Sequence, residues 1–249
     1  MNEAAQVVGS ARVDGPACAV RAAARLDAVS KLYGGFAALR KVTVEFAAGS
    51  STVVLGENGA GKSTLLRLIA GLIAPTRGTV HVFGDEPRRQ RRRMAYMSHE
   101  AMLYDELTAM ENLRYFARLH GEEGCGPEQA LGAVGLDPKL TRPVGQYSQG
   151  MRQRAALARV LQTDPELLLL DEPFSNLDVD SARRMVELLM EFRTRPVSGV
   201  GDGQGARGRT IILTTHQAHL AGPLAETTLT MKAGTIMSVT NSADGGVNR

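Results

Sequence analysis

Gly56-Glu57-Asn58-Gly59-Ala60-Gly61-Lys62-Ser63 is the stretch that decides the fold of this 249-residue chain. It follows Ser51-Thr52-Val53-Val54-Leu55, a β-branched apolar run that reads as a buried strand. It opens residues 62–69, whose pattern is helical, with Gly71 near the end. Strand, glycine-rich turn and helix in that order give G-x-x-x-x-G-K-S the setting it requires. The glycines let backbone N–H groups turn towards phosphate oxygens, and the helix start adds positive potential. Lys62 would bridge the β- and γ-phosphates, the Ser63 hydroxyl would ligate Mg²⁺, and Thr64 continues the same binding turn. A chance glycine-rich turn is the plainer alternative, and the flanking elements count against it.

Outward from the loop, residues 26–32 and 42–46 alternate like strands, and 79–83 form another, closed by Gly84-Asp85. The middle of the chain changes character. Residues 111–120, 127–134 and 150–162 read as helices, with a Gly-rich linker at 121–127. A buried strand at 167–170 then ends at Asp171, an amphipathic helix covers 181–193, and 211–215 form the next buried strand. The pattern predicts an α/β core carrying a helical insert. Residues 1–24 are expected to be a poorly ordered tail. Residues 25–249 are expected to form one domain, with a catalytic core over 25–95 and 156–249 and a helical subdomain over about 96–155. The Gly-rich composition around 198–208 predicts a flexible loop at about 195–209.

Composition narrows the classes. With 43% hydrophobic and 22% charged residues, the chain has a soluble globular profile, and a formal net charge of +3 is too small to argue for nucleic acid. Two cysteines far apart, Cys18 and Cys125, make neither a disulfide framework nor a zinc pattern, and a cytoplasmic setting is expected. No apolar run reaches the roughly 18 residues of a membrane span, so any membrane part must come from another chain. The start of the chain lacks the basic and apolar stretches of a secretory signal. The run Arg88, Arg89, Arg91, Arg92 and Arg93 has the makings of a lipid or RNA contact, but a solvated helix or turn is the more ordinary reading. His120 and Cys125 have no metal partner at a sensible spacing.

The second chemical site is Asp171-Glu172-Pro173. A carboxylate at the end of a buried strand beside a phosphate loop would hold Mg²⁺ through water, and Glu172 would polarise the attacking water as general base. Two solvated carboxylates are the bland alternative. Between the two sites stands Tyr147-Ser148-Gln149-Gly150-Met151-Arg152-Gln153-Arg154. It resembles the signature of ABC-type ATPases, usually Ser-Gly-Gly-Gln. Ser175-Asn176-Leu177-Asp178 resembles that family's D-loop, and Thr214-Thr215-His216 its switch histidine. The resemblance spans about residues 25–240.

The resemblance implies a P-loop ABC-type fold: a mixed sheet flanked by helices, an N-terminal antiparallel β-subdomain and an inserted helical subdomain. It implies ATP and Mg²⁺ as ligands and a head-to-tail dimer, expected as a homodimer, in which each ATP lies between one protomer's phosphate loop and the other's signature. Ser148, Gln149 and Gly150 would then face a γ-phosphate held by the second protomer, and Asp178 would communicate across the interface. His216 would contact the γ-phosphate, Glu172 and Lys62 would complete catalysis, and Tyr33 would stack on adenine. Gln149 stands where the family usually has Gly, and Met151 where it has Gln. His99 takes the place of the coupling-loop Gln that helps to hold the metal, beside Ser63 and Asp171.

A membrane-spanning permease is the implied partner, with the chain peripheral on the inner face of the cell membrane and no role for nucleic acid. The stretch from Tyr104 to Leu113 is similar to export-type ATPases, the haem exporter ATPase of cytochrome c maturation and the ABC-2 exporters above all. The alternatives are a soluble ABC-type ATPase without transport, such as an assembly or regulatory factor, and a nucleotide sensor without hydrolysis, against which Glu172 argues. The cargo is not written in the sequence.

Overall fold

The structure is a computed structural model that describes residues 22–121, 124–197 and 208–242. Two sheets organise it. Strands β1 (Ala22–Tyr33), β2 (Phe36–Ala47) and β4 (Arg77–Val82) form an antiparallel sheet in the order β2-β1-β4. The second sheet has six strands, β3 (Ser51–Leu55), β5 (Met94–Met97), β6 (Leu167–Asp171), β7 (Thr210–Thr215), β8 (Thr227–Lys232) and β9 (Thr235–Asn241). Its order is β5-β6-β7-β3-β8-β9, with every pair parallel except β8–β9. The sheet is therefore mixed, and the loop after β3 leaves from its centre.

The apolar runs are continuous because both faces of the central strands are covered. The period of two sorts them. Leu168 and Leu170 join one core with Val53, Ile211 and Leu213, while Leu167 and Leu169 join the other with Val54 and Ile212. Helix α1 (Lys62–Ile69) and the antiparallel sheet close the second core through Leu65, Leu66, Leu68 and Ile69. Helices α4 (Gln149–Leu161) and α5 (Val179–Thr194) close the first.

Helices α2 (Ala109–Leu119), α3 (Pro127–Ala133) and α4 follow one another between β5 and β6. Helix α2 starts on a capping box. Glu111 N–H donates to Thr108 Oγ1 at 3.1 Å, and Thr108 N–H donates to Glu111 Oε2 at 2.9 Å. Leu113, Leu131, Val134 and Leu157 are fully buried where these helices meet.

Several boundaries differ from the sequence reading. Strand β1 begins at Ala22, because Ala22 and Ala24 are already in register with Ala47 and Phe46. The rest of the expected tail, residues 1–21, and most of the expected loop, residues 198–207, lie outside the described residues. Strands β8 and β9 were not anticipated. Thr is frequent in both, and much of β9 is exposed at a sheet edge, so neither carries an apolar run. The arginine run forms a 3-10 turn, Pro87–Arg93, whose last member is structural. Arg93 donates to both oxygens of Glu166, at 2.6 and 2.7 Å, and lies 3.8 Å over the Phe83 ring.

Candidate functional site

The phosphate loop turns on Gly61, the residue that precedes α1, with φ at +99°. That value suits glycine alone among common residues, and packing adds a second reason. A Cβ there would lie 2.6 Å from the Ala38 carbonyl oxygen. Loop and helix start line a cavity of about 250 Å³ with Tyr33, Phe36, Ala38, Asn58 and Glu172. Gly59, Ala60, Gly61, Lys62, Ser63 and Thr64 all border it. Gly56 and Glu57 contribute backbone carbonyls instead. Lys62 Nζ donates to Gly56 O at 2.7 Å and to Glu57 O at 3.2 Å. Lys62 is only 6% exposed, so its charge sits in the floor of the loop.

The two sites of the sequence reading meet here. Ser63 Oγ donates to Asp171 Oδ1 at 2.9 Å across 108 residues of chain. Parity places Asp171 at the end of β6 on the same face as Leu167 and Leu169, the face that packs on α1. Thr214 Oγ1 also donates to Oδ1, at 2.8 Å, and Tyr96 OH donates to Oδ2 at 3.1 Å. Burial, with the negative charge of Asp171 next, pushes the Tyr96 hydroxyl up to about 12, so it is a firm donor at neutral pH.

Glu172 breaks from the strand with φ at +52°. Its Oε1 lies 3.3 Å from Lys62 Nζ, outside hydrogen-bond alignment, and this buried atom has no hydrogen-bond partner among the described residues. Its Oε2 accepts from His216 N–H at 3.3 Å and lies 3.0 Å from His216 Nδ1. Glu172 thus sits in the cavity wall between a lysine and a histidine. Residues in sparse backbone regions cluster at functional sites because their surroundings enforce them.

The remaining expected residues lie elsewhere. Ser148 caps α4, accepting from Met151 N–H at 3.3 Å, and Asp178 caps α5, accepting from Ser181 N–H at 2.7 Å. That N–H holds the Asp178 carboxyl below its ordinary range. Gly150 sits against the start of α5, where a Cβ would lie 2.4 Å from Ser181 Oγ. Ser148 and Gln149 are exposed, and none of this group borders the loop cavity. His99 is also exposed, 3.9 Å from Glu100 Oε1, and makes no described contact with the Ser63–Asp171 pair. Tyr96, Thr214 and Phe36 are the residues that sequence reasoning missed. The signal available for Tyr96 and Thr214 was a hydroxyl in a buried strand, which carries no function until the fold shows its neighbour.

The family model described as ABC transporter matches residues 39–175, more than half of the chain. The chain belongs to the ABC transporter family. As an ATPase of that family it binds and hydrolyses ATP. It is 32% identical over 209 residues to the ABC transporter ATP-binding protein NatA of Bacillus subtilis, covering 80% of each chain. It is 38% identical to the cytochrome c biogenesis ATP-binding export protein CcmA of Xanthomonas axonopodis, covering 74% of this chain and 82% of that one. It is 37% identical to the fluoroquinolones export ATP-binding protein of Mycobacterium tuberculosis, but spans only 63% of that relative's length. Among solved structures, an ATP binding subunit of an ABC transporter superposes with a TM-score of 0.72 at 28% identity, covering 89% of this chain and 90% of that one. A dimeric ATP-binding cassette bound to ADP and Pi gives 0.75 at 24% identity, covering 88% and 98%, and shares the fold.

Proposed function

We propose that the chain is the ATP-hydrolysing subunit of an exporter, working as a dimer on the inner face of a membrane beside a separate permease. The observation that carries this is the Ser63–Asp171 junction with Glu172 set between Lys62 and His216. The export reading draws on CcmA and the fluoroquinolones exporter, whose names state that activity. No helix among the described residues is long and apolar enough to cross a membrane, so the transport path would belong to the partner.

The donor set suits Mg²⁺. Ser63 Oγ and the Asp171 carboxylate are hard oxygen ligands, and among the described residues there is no cluster of three His, Cys, Asp or Glu side chains that would cage an ion. Magnesium is commonly held by one or two protein oxygens with phosphates and waters filling the rest. When bound it would screen the charge developing on the phosphates. Lys62 would exchange its carbonyl contacts for phosphate oxygens, and loop N–H groups would bind the rest. Tyr33, with Phe36 beside it, would lie against the adenine. Glu172 would take a hydrogen bond from the attacking water through Oε1, oriented by His216 at Oε2. Ser148, Gln149, Gly150 and Asp178, remote from this chain's own loop, would complete the site of a second copy. His99 would reach the metal only after its loop moves.

Glu172→Gln tests the reading. The carboxamide keeps shape and removes the base, so the purified variant should bind ATP as the parent does and turn it over at least about 100-fold more slowly. Turnover within twofold of the parent would sink the assignment of Glu172 as base. Lys62→Ala should abolish tight ATP binding, measured by calorimetry.

A further inference from the structure

The Asp171 carboxylate is 1% exposed and is held by three hydroxyls of unequal distribution. Two of them, Ser63 Oγ and Thr214 Oγ1, donate to Oδ1. The third, Tyr96 OH, is the described donor to Oδ2. The torsion that turns a carboxylate about its Cβ–Cγ bond is soft. Pinned at Oδ1 alone, the group can rock; pinned also at Oδ2, it has one plane. Tyr96 is itself oriented. Its ring hangs from β5, paired with β6 in register Tyr96↔Leu169, and the positive charge of Arg67 on α1 faces both its hydroxyl and Asp171. A cation beside a phenol favours the orientation of the O–H dipole that points its proton away. That proton goes to Asp171 Oδ2.

We propose that Tyr96 is a positioning residue that fixes Oδ2 of Asp171 for the metal of the nucleotide complex. This rests on the reading of Asp171 as the carboxylate that holds Mg²⁺. Tyr96 touches neither nucleotide nor metal in this scheme. It would fill one lone pair of Oδ2 and fix the carboxylate plane that the metal's water ligands would meet. The consequence is specific. Losing the hydroxyl should weaken the divalent cation and leave metal-free nucleotide binding alone, because Lys62 and the loop N–H groups do not depend on it.

The test uses the full-length purified chain with the ATP analogue AMP-PNP and Mn²⁺ as a paramagnetic probe of the metal position. Mn²⁺ is titrated and read by electron paramagnetic resonance, and AMP-PNP affinity is measured separately in EDTA. Tyr96→Phe, which keeps the ring, should raise the half-saturating Mn²⁺ concentration about tenfold, the scale of one hydrogen bond to a charged group. Its EDTA affinity for AMP-PNP and its melting temperature should stay near the parent's. A parental Mn²⁺ curve for Tyr96→Phe overturns the proposal. So does a parallel loss of metal-free binding, which would mark a packing role. Asp171→Asn separates the two levels. If it shifts the Mn²⁺ curve while Tyr96→Phe does not, only the positioning role fails; if neither shifts it, the metal reading of Asp171 fails with it.

Discussion

Gly61→Ala would put one methyl group where the phosphate loop has no room for it. The new Cβ would lie 2.6 Å from the Ala38 carbonyl oxygen and 2.8 Å from Leu39 Cδ2. The nearer atom is backbone of β2, so relief requires the loop or the strand to move. A positive φ in an L-residue costs roughly 1–2 kcal/mol. Overpacking a filled site adds roughly 1–3 kcal/mol. Together that is roughly 2–5 kcal/mol, against roughly 5–15 kcal/mol of total stability for a typical domain. Gly59 supplies the control. Its φ is +82°, yet a Cβ there would meet no heavy atom within 4 Å. Gly59→Ala should therefore carry only the backbone cost of roughly 1–2 kcal/mol. Calorimetric melting should show falls of roughly 4–20 °C for Gly61→Ala and roughly 2–8 °C for Gly59→Ala, at about 2–4 °C per kcal/mol for a domain of this size. ATP titration should show Gly61→Ala weakened by more than about tenfold, since roughly 1.4 kcal/mol of strain passed to the loop suffices. Equal falls for the two variants, or parental melting and ATP affinity for Gly61→Ala, would refute the packing of loop against β2.

Three further outcomes follow from particular contacts. Tyr33→Ala should weaken ATP about three- to tenfold, the scale of one aromatic stacking contact, and leave inorganic triphosphate unaffected; equal loss of both ligands in a competition assay argues against an adenine contact. Leu113→Ala, at a fully buried position in α2, should cost roughly 2–5 kcal/mol in urea unfolding. Thr108→Ala removes the α2 cap and should cost about 1 kcal/mol at neutral pH. The backbone and hydroxyl of Thr108 hold the Glu111 carboxyl below its ordinary range. A depressed carboxylate stabilises above its unfolded pKa and loses that contribution as pH falls through its native one. Thr108→Ala keeps the backbone bond and loses only the hydroxyl's share of that contribution, so the stability gap between parent and variant should narrow slightly in acid, as read from denaturation curves at descending pH.

Those contacts also show where sequence is informative. The phosphate loop was legible because its strand, turn and helix are contiguous, and each element has its own periodicity. Asp171 was legible because a run of four leucines is too short for a buried helix and reads as a strand buried on both faces, and a carboxylate ending it needs a reason. Tyr96 and Thr214 were not legible as partners of Asp171. They come from neighbouring strands 75 and 43 residues away, and only sheet order makes them neighbours. Strands β8 and β9 escaped notice because a threonine-rich edge hairpin lacks the apolar run that marks the centre of the sheet. Ser148 and Asp178 have local reasons to be where they are, as the caps of α4 and α5.

Asp171 and Glu172 are adjacent, and alternation along a strand would send them to opposite faces. Asp171 keeps the strand's geometry and meets α1. Glu172 should then point into the core under α4 and α5, where a charge has no partner. The turn to φ +52° removes that conflict and swings the carboxylate to Lys62 and His216. Glu172→Asp isolates the geometry from the chemistry. Aspartate tolerates positive φ better than most residues, so the variant should fold with a melting temperature near the parent's, and it keeps a carboxylate of similar basicity. It is one methylene shorter, so its oxygens cannot span from Lys62 to His216. Hydrolysis should fall by about 100-fold or more, the range attached to general-base catalysis, while ATP binding persists. Activity close to the parent's would mean that basicity alone suffices and that the backbone turn at Glu172 serves packing.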